Sequence, residues 1–379
     1  MRRTINPRGD RVFALCLVNQ SSFWRTPFAR AVFVLGGIVV VVPILLAALG
    51  FDAASAMLAL FRGSLGSVYA ITSATLVRAT PVILTGLSVA VAFRAGVFNI
   101  GAEGQLLAGA VAAAAISLVP RIGSSLASSW IALVAGASAG AAWAGIAALL
   151  RARFRVLEVI STILLNFVAV ELVGFLVRGP LQEPLHIYPQ STTIPLAARL
   201  PRILPNSRLH AGFIIAVAAS MVAWWVLRHT AAGFRLRAVG ANPDAARVAG
   251  QIDVTRTTTR AFIASGAIAG LAGAIELTGV TFALYENLSP GYGYTGIAVA
   301  LLARLDPLGV VASGLLFGGL EAGASAMQRD AGVPSVVVSI VEALIILGLI
   351  VAWPLEMGAA RTRTESVVPP EAQEAKASV

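Results

Sequence analysis

Between Phe93 and Ala114 the chain reads FRAGVFNIGAEGQLLAGAVAAA, and its middle gathers Asn99, Glu103 and Gln105 among Gly96, Gly101 and Gly104. Two amides and a carboxylate so close together can exchange hydrogen bonds with a polar molecule. Apolar runs flank the stretch on both sides. Backbone leaves helical form at membrane depth only where protein or a water-filled cavity satisfies its polar groups. Transporters use such breaks to aim helix ends at a solute. In that reading Asn99 caps a helix whose first turn holds Glu103, favoured there by the helix dipole, and Gln105 faces the same side as Gly101. An ordinary hairpin at the inner membrane surface, marked by Arg94, fits the spacing equally well.

The elements that must hold these groups are read from hydropathy. Apolar residues make up 58% of the chain and charged residues 12%, with a mean hydropathy of +0.84. Runs of about twenty apolar residues read as membrane-spanning helices. The expected fold is therefore an all-α polytopic membrane protein. Spans fall near 31–49, 68–93, 105–119, 130–150, 157–177, 211–227, 261–281, 295–303, 308–327 and 333–353. That is about ten, and the eighth is short enough to require a tilt or a re-entrant path. One membrane domain, 31–357, is expected between an N-terminal segment, 1–30, and a polar, disordered tail, 358–379.

The net charge of +10 comes almost wholly from arginine, with Lys376 the sole lysine, and these arginines sit in short segments between apolar runs. That is the positive-inside pattern of a chain in a lipid bilayer, not the continuous basic face of a nucleic-acid binder. Arg2, Arg3, Arg8, Arg11, Arg25 and Arg30 precede the first span, which reads as a retained anchor with a cytoplasmic N-terminus. Alternation then places Arg151, Arg153 and Arg155, the loop 228–260 and the C-terminus inside. The loop 178–210 lies outside, and its prolines point to an ordered external cap. Cys16 is alone, and His186, His210 and His229 fall in loops or at span ends, so no disulfide framework and no metal cluster is expected.

In the loop 228–260, Asn242-Pro243-Asp244 has the form of a helix start: a cap, proline at the first helical position and an acid in the first turn. Gly250 is the expected C-terminal stop. The result is a helix of about two turns, either a docking knob at the inner face or a solvated connector.

Four acids, Glu171, Glu276, Glu321 and Glu342, fall within predicted spans. Each ionised carboxylate facing lipid costs about 2.5–3.5 kcal/mol, so all four must face the bundle, pair, or lie nearer the span ends. They read either as a polar pathway or as interhelical hydrogen bonds. The pairs Gly136–Gly140, Gly266–Gly270 and Gly314–Gly318 permit close helix packing. Tyr285, Tyr292 and Tyr294 cluster near Asn287 at the predicted outer surface, either as interfacial anchors or as an outer gate that stacks on cargo.

FRAGVFNIGAEGQLLAGA resembles the signature of permease subunits of ATP-binding-cassette importers, in the superfamily that handles branched-chain amino acids, ribose and nucleosides. TLVRATPVILTGLSVAVAFRAG leads into it, and VISTILLNF and GYGYTGIAVALLARLDPLGVVASGLLFGG follow in order. FNIGAEGQ and the block around Asn166 are similar to the nucleoside and simple-sugar branch. Asp244-Ala245-Ala246-Arg247-Val248-Ala249-Gly250 resembles the EAA-x3-G loop of such permeases with aspartate for glutamate, and the downstream I-x-L-P part is absent.

The resemblance implies a translocation subunit and not an enzyme, in a bacterial inner membrane, moving nucleosides or related ribose-containing solutes by alternating access. Simple sugars or branched-chain amino acids are the nearer alternative, and a proton-coupled carrier the more distant one. It implies two inverted groups of four helices, a second permease chain that is often a different homologue, and an extracytoplasmic solute-binding protein. No phosphate-binding loop is encoded, because that loop needs a lysine after its glycines. ATP and magnesium therefore belong to a separate ATPase, expected to dock on Asn242, Pro243, Asp244, Ala245, Ala246, Arg247 and Gly250. The expected pathway residues are Asn99, Glu103, Gln105 and Asn166.

Overall fold

The computed structural model describes residues 43–334 except 126, together with 37, 40, 336, 337, 339, 340 and 343. The segments 1–30 and 358–379 and most of the first and last expected spans lie outside the described residues, as do Cys16 and Glu342. Residues 55–333 form one unit, and the two chain ends group into another.

Among the described residues no strand forms, and six helices are long and apolar enough to cross a membrane by length and composition. In chain order the helices are α1 (Ala53–Ser64), α2 (Val68–Arg94), α3 (Ala102–Ser117), α4 (Ser128–Phe154), α5 (Glu158–Val177), α6 (Gly212–His229), α7 (Ala231–Ala241), α8 (Pro243–Gly250), α9 (Val254–Thr281), α10 (Tyr292–Leu302) and α11 (Pro307–Asp330). The six long ones are α2, α4, α5, α6, α9 and α11. At 1.5 Å per residue α3 reaches about 24 Å and α10 about 16 Å, short of a hydrocarbon core of about 30 Å. Both α2 and α9 contain a π-helical turn, at Ile71–Thr75 and Leu277–Thr281.

Helix α9 is the centre of the bundle, packed on α2, α3 and α4. Glycine makes this possible. A Cβ at Gly140 would run into Gly266 and Gly270, and one at Gly270 would run into Gly136, so the glycine pairs of α4 and α9 face each other backbone to backbone. Gly314 and Gly318 of α11 lie in the same way against Ile83 and Ala79 of α2. Lipid tails supply no hydrophobic drive between helices, so this close fit is what holds the pairs.

On one face α7 and α8 form a helical hairpin on which Val239, Ala246 and Ile252 make a small apolar cluster. On the opposite face the segment 178–211 lies over the end of α9. Ser191 N donates to Leu284 O at 2.7 Å, Ile194 N to Phe282 O at 2.8 Å and Leu200 N to Thr278 O at 2.9 Å. Arg199 sits 4.4 Å over the Phe282 ring. This is an ordered cap, built on the segment that leads from α9 into α10.

Candidate translocation site

The seven residues 95–101 between α2 and α3 are not helical, and Asn99 among them is wholly buried. Gly101, not Asn99, occupies the cap position of α3 and makes no side-chain cap. Asn99 Oδ1 accepts instead from Gly101 N and from Gln105 Nε2, each at 2.9 Å. Its Nδ2 donates to Gln105 Oε1 at 2.9 Å and to Ser265 Oγ of α9 at 2.8 Å. Ser265 Oγ donates in turn to Ser88 O at 2.8 Å. The Asn99 amide thereby uses both donors and both acceptor sites. Asn99 and Gln105 tie the break to α9 and α2, with nothing of Asn99 left for a solute.

Asn166 of α5 supplies the cap that Gly101 cannot. Its Oδ1 accepts from Gly104 N at 2.8 Å, and its Nδ2 donates to Ile100 O at 3.0 Å and to Tyr294 OH at 3.3 Å. A free N–H in the first turn of α3 is thus met by a neighbouring helix.

Glu103 does the same for α10. Its Oε2 accepts from Gly293 N at 2.7 Å, and the Ser289 hydroxyl bonds to the same carboxylate. Gly293 must lack a side chain, because a Cβ there would run into the Glu103 backbone. Two short helices therefore begin at one carboxylate, each presenting the positive end of its dipole to it.

Beside this point lies a cavity of about 520 Å³. Helix α3 contributes Glu103 and Leu107, and α5 contributes Glu171, Phe175 and the small surface of Gly174. Arg178 follows α5, and Glu286, Asn287 and Ser289 come from the segment before α10. Arg178 is held by Glu286, Nε to Oε1 at 2.6 Å and Nη2 to Oε2 at 3.0 Å. Of the four pathway residues expected from sequence, Glu103 lines the cavity, whereas Asn99, Gln105 and Asn166 stand behind it. The three tyrosines differ in their surroundings. Tyr292 is buried at the start of α10, Tyr285 pairs in an isolated bridge with Gln190, and Tyr294 alone reaches Asn166. Glu276 is buried in α9, and Glu171 is exposed on α5.

The other expected site is α8. Asn242 Oδ1 accepts from Asp244 N and Ala245 N, each at 3.0 Å, with Pro243 at the first helical position. Arg247 pairs with Asp244 at 3.3 Å. The stop differs from expectation: Gly250 is the last helical residue, and Gln251, at φ 48°, takes the left-handed position. Ala246 points inward, while Val248 is 83% exposed. Sequence patterning missed α7, which carries this knob to the break: a Cβ on Gly240 would collide with Arg94 O, and Arg94 Nε donates to Leu305 O at 2.9 Å.

Residues 71–352 match the family described as branched-chain amino acid transport system / permease component. The chain belongs to this permease family. It is 40% identical to the guanosine ABC transporter permease protein NupP of Bacillus subtilis over 79% of this chain and 86% of that one. It is likewise 40% identical to the glucose ABC transporter permease protein TsgB13 of Haloferax volcanii, over 80% of this chain and 82% of the other. The nucleoside ABC transporter permease protein NupB of Lactococcus lactis is 34% identical over 79% and 84%. No solved structure matches. As a permease of this family the chain is a multi-pass membrane protein and a translocation subunit, not a catalyst.

Proposed function

We propose that this permease carries nucleosides or related ribose-containing solutes inward by alternating access, as one subunit of an ATP-driven importer in a bacterial inner membrane. The observation that carries the reading is the meeting of two short helix starts at Glu103 beside a cavity of 520 Å³, a volume within the usual range for small-molecule sites. Broken helices aimed at one point are how many transporters present backbone dipoles to cargo. The relatives named for guanosine and for nucleosides supply the cargo class. The relative named for glucose supports a second reading, in which the same machine carries a simple sugar.

The reading also assigns partners. The exposed face of α8 suits a groove on an ATPase subunit, which would put the α7–α8 face and both termini in the cytoplasm. The cap 178–211 would then receive a solute-binding protein outside. An exposed Glu171 on a 20-residue apolar helix is costly against lipid, which favours a polar space at this point of the α5 face, closed off from lipid by a second permease chain. The order long helix, non-helical break, short helix, long helix occurs twice, as α2–α3–α4 and α9–α10–α11, and supports an inverted repeat within a membrane domain of about 31–357.

Uptake of labelled guanosine and glucose tests the assignment, in a strain lacking its own importers and supplied with the full transport operon. Guanosine uptake that needs this chain and persists under a protonophore at maintained ATP is the expected result. Glucose uptake alone would change the cargo. Uptake abolished by the protonophore would make the chain a proton-coupled carrier.

A further inference from the structure

The charges around the cavity are unequal. Three carboxylates, Glu103, Glu171 and Glu286, face it against one guanidinium, that of Arg178. Glu286 already holds Arg178 through two hydrogen bonds, at 2.6 and 3.0 Å, so among the described residues no free cation lines the space. A phosphate monoester or a free carboxylate would enter a negative field with nothing to neutralise it. Hydroxyl and N–H groups meet the opposite situation, because a carboxylate accepts hydrogen bonds from two neighbouring donors at once. The Phe175 ring supplies a flat apolar wall, and the Asn287 amide can both donate and accept.

Part of this lining is also independent of the scaffold. Asn99, Gln105 and Asn166 spend their amides on backbone and on each other, whereas Glu171 and Phe175 are exposed. The cavity is therefore lined in part by side chains that the fold does not consume, while Glu103 holds Gly293 N and keeps acceptor sites beyond that bond.

From this lining we infer that the cavity between α3, α5 and the start of α10 is the cargo site. It takes an uncharged molecule with a planar ring and neighbouring hydroxyl or amino donors, which Glu103 and Glu171 accept, and turns away phosphorylated and zwitterionic solutes. The inference rests on the importer reading and adds to it a location and a rule of selection.

Thiol chemistry tests the site apart from transport. With Cys16 replaced by serine, Val170→Cys places a single thiol in the cavity lining. The whole transporter in lipid nanodiscs is then treated with cationic and anionic methanethiosulfonate reagents of similar size. The cationic reagent should react about tenfold faster or more, and Glu171→Gln should shrink that ratio. Guanosine should slow labelling, while guanosine 5′-monophosphate and leucine should not. A second thiol at Gly179 guards against misfolding of the first variant. Equal rates for both reagents, or no protection by guanosine in a transporter that still imports it, would overturn the cavity assignment and leave the importer standing. Protection by the monophosphate as strong as by guanosine would overturn the charge rule. Absence of any guanosine or glucose uptake by the unmodified transporter would instead remove the functional reading itself.

Discussion

The carboxylate of Glu103 accepts the backbone N–H of Gly293 at 2.7 Å, so a side chain in the first turn of α3 closes the first turn of α10. Glu103→Leu strands that buried N–H, at a cost of about 1–3 kcal/mol, and should lower the amount of protein in the membrane. Glu103→Gln keeps an acceptor, so it should insert normally and lose uptake. Quantitative blotting of membranes beside guanosine uptake separates the two effects. Gly293→Val should fail to accumulate at all, since its side chain has no room against the Glu103 backbone.

Asn99 and Gln105 satisfy each other, which predicts an asymmetry. Asn99→Leu leaves Gln105 and Ser265 short of partners and should destabilise by about 2–4 kcal/mol. Replacing both amides with leucine should cost less than the sum of the two single changes. Thermal unfolding in detergent of the two single variants and the double one gives the coupling, and strict additivity would argue against a paired frame.

Helix packing supplies a contrast between glycines. Gly270→Leu puts its side chain into the α4 backbone and should abolish folding, at more than about 3 kcal/mol. Gly145, on the same helix α4, has nothing within 4 Å of an added Cβ, and Gly145→Leu should be tolerated. Membrane levels of the two variants are the readout.

On α8, Val248→Arg and Asp244→Arg change only exposed groups. Both should leave membrane levels unchanged and reduce co-purification of the ATPase together with uptake. Unimpaired uptake in both would move the docking surface elsewhere.

His210 gives a pH dependence. It is buried just before α6, its Nδ1 accepts from Gly212 N at 3.2 Å, and its Nε2 has no hydrogen-bond partner. Burial, and then the nearby Arg208, push its pKa down to about 4 from 6.5. The unfolded chain binds this proton below pH 6.5 and the folded chain only near pH 4. Stability is therefore full above pH 6.5 and falls as the pH drops towards 4, by about 3 kcal/mol in all. His210→Asn should flatten the melting temperature across that window, measured in detergent at constant ionic strength.

The apolar helices were legible because hydrocarbon imposes a simple rule on composition: the described helices α2 to α6 and α9 to α11 overlie the apolar runs, and six of them are long enough to span. The rule fails where polar residues extend a helix beyond the bilayer. Helix α9 begins at Val254, several residues ahead of its apolar run, through a first turn capped by Asp253 and a polar stretch ending at Arg260. Helix α7 was hidden by Arg235 and Arg237, which made it read as loop. Asn242 could be read as a cap because its partners are two and three residues away. The cap of Gly104 could not, because Asn166 lies 62 residues further along. The cavity was illegible for the same reason: Arg178 and Glu286 are 108 residues apart, and only the tertiary fold spends the one on the other.

The contact of Gly240 with Arg94 has a thermodynamic reach beyond its size. Arg94 is the last residue of α2, and only the buried break separates it from the helix start that carries Glu103. Suppose the ATPase binds one placement of α7 better than another, and that placement alters how well the cavity holds its solute. Linkage then requires the solute to change the ATPase's affinity for this chain by the same factor. A cargo at Glu103 would thus be sensed at α8 before any nucleotide is cleaved, and the permease would report its own occupancy to its motor.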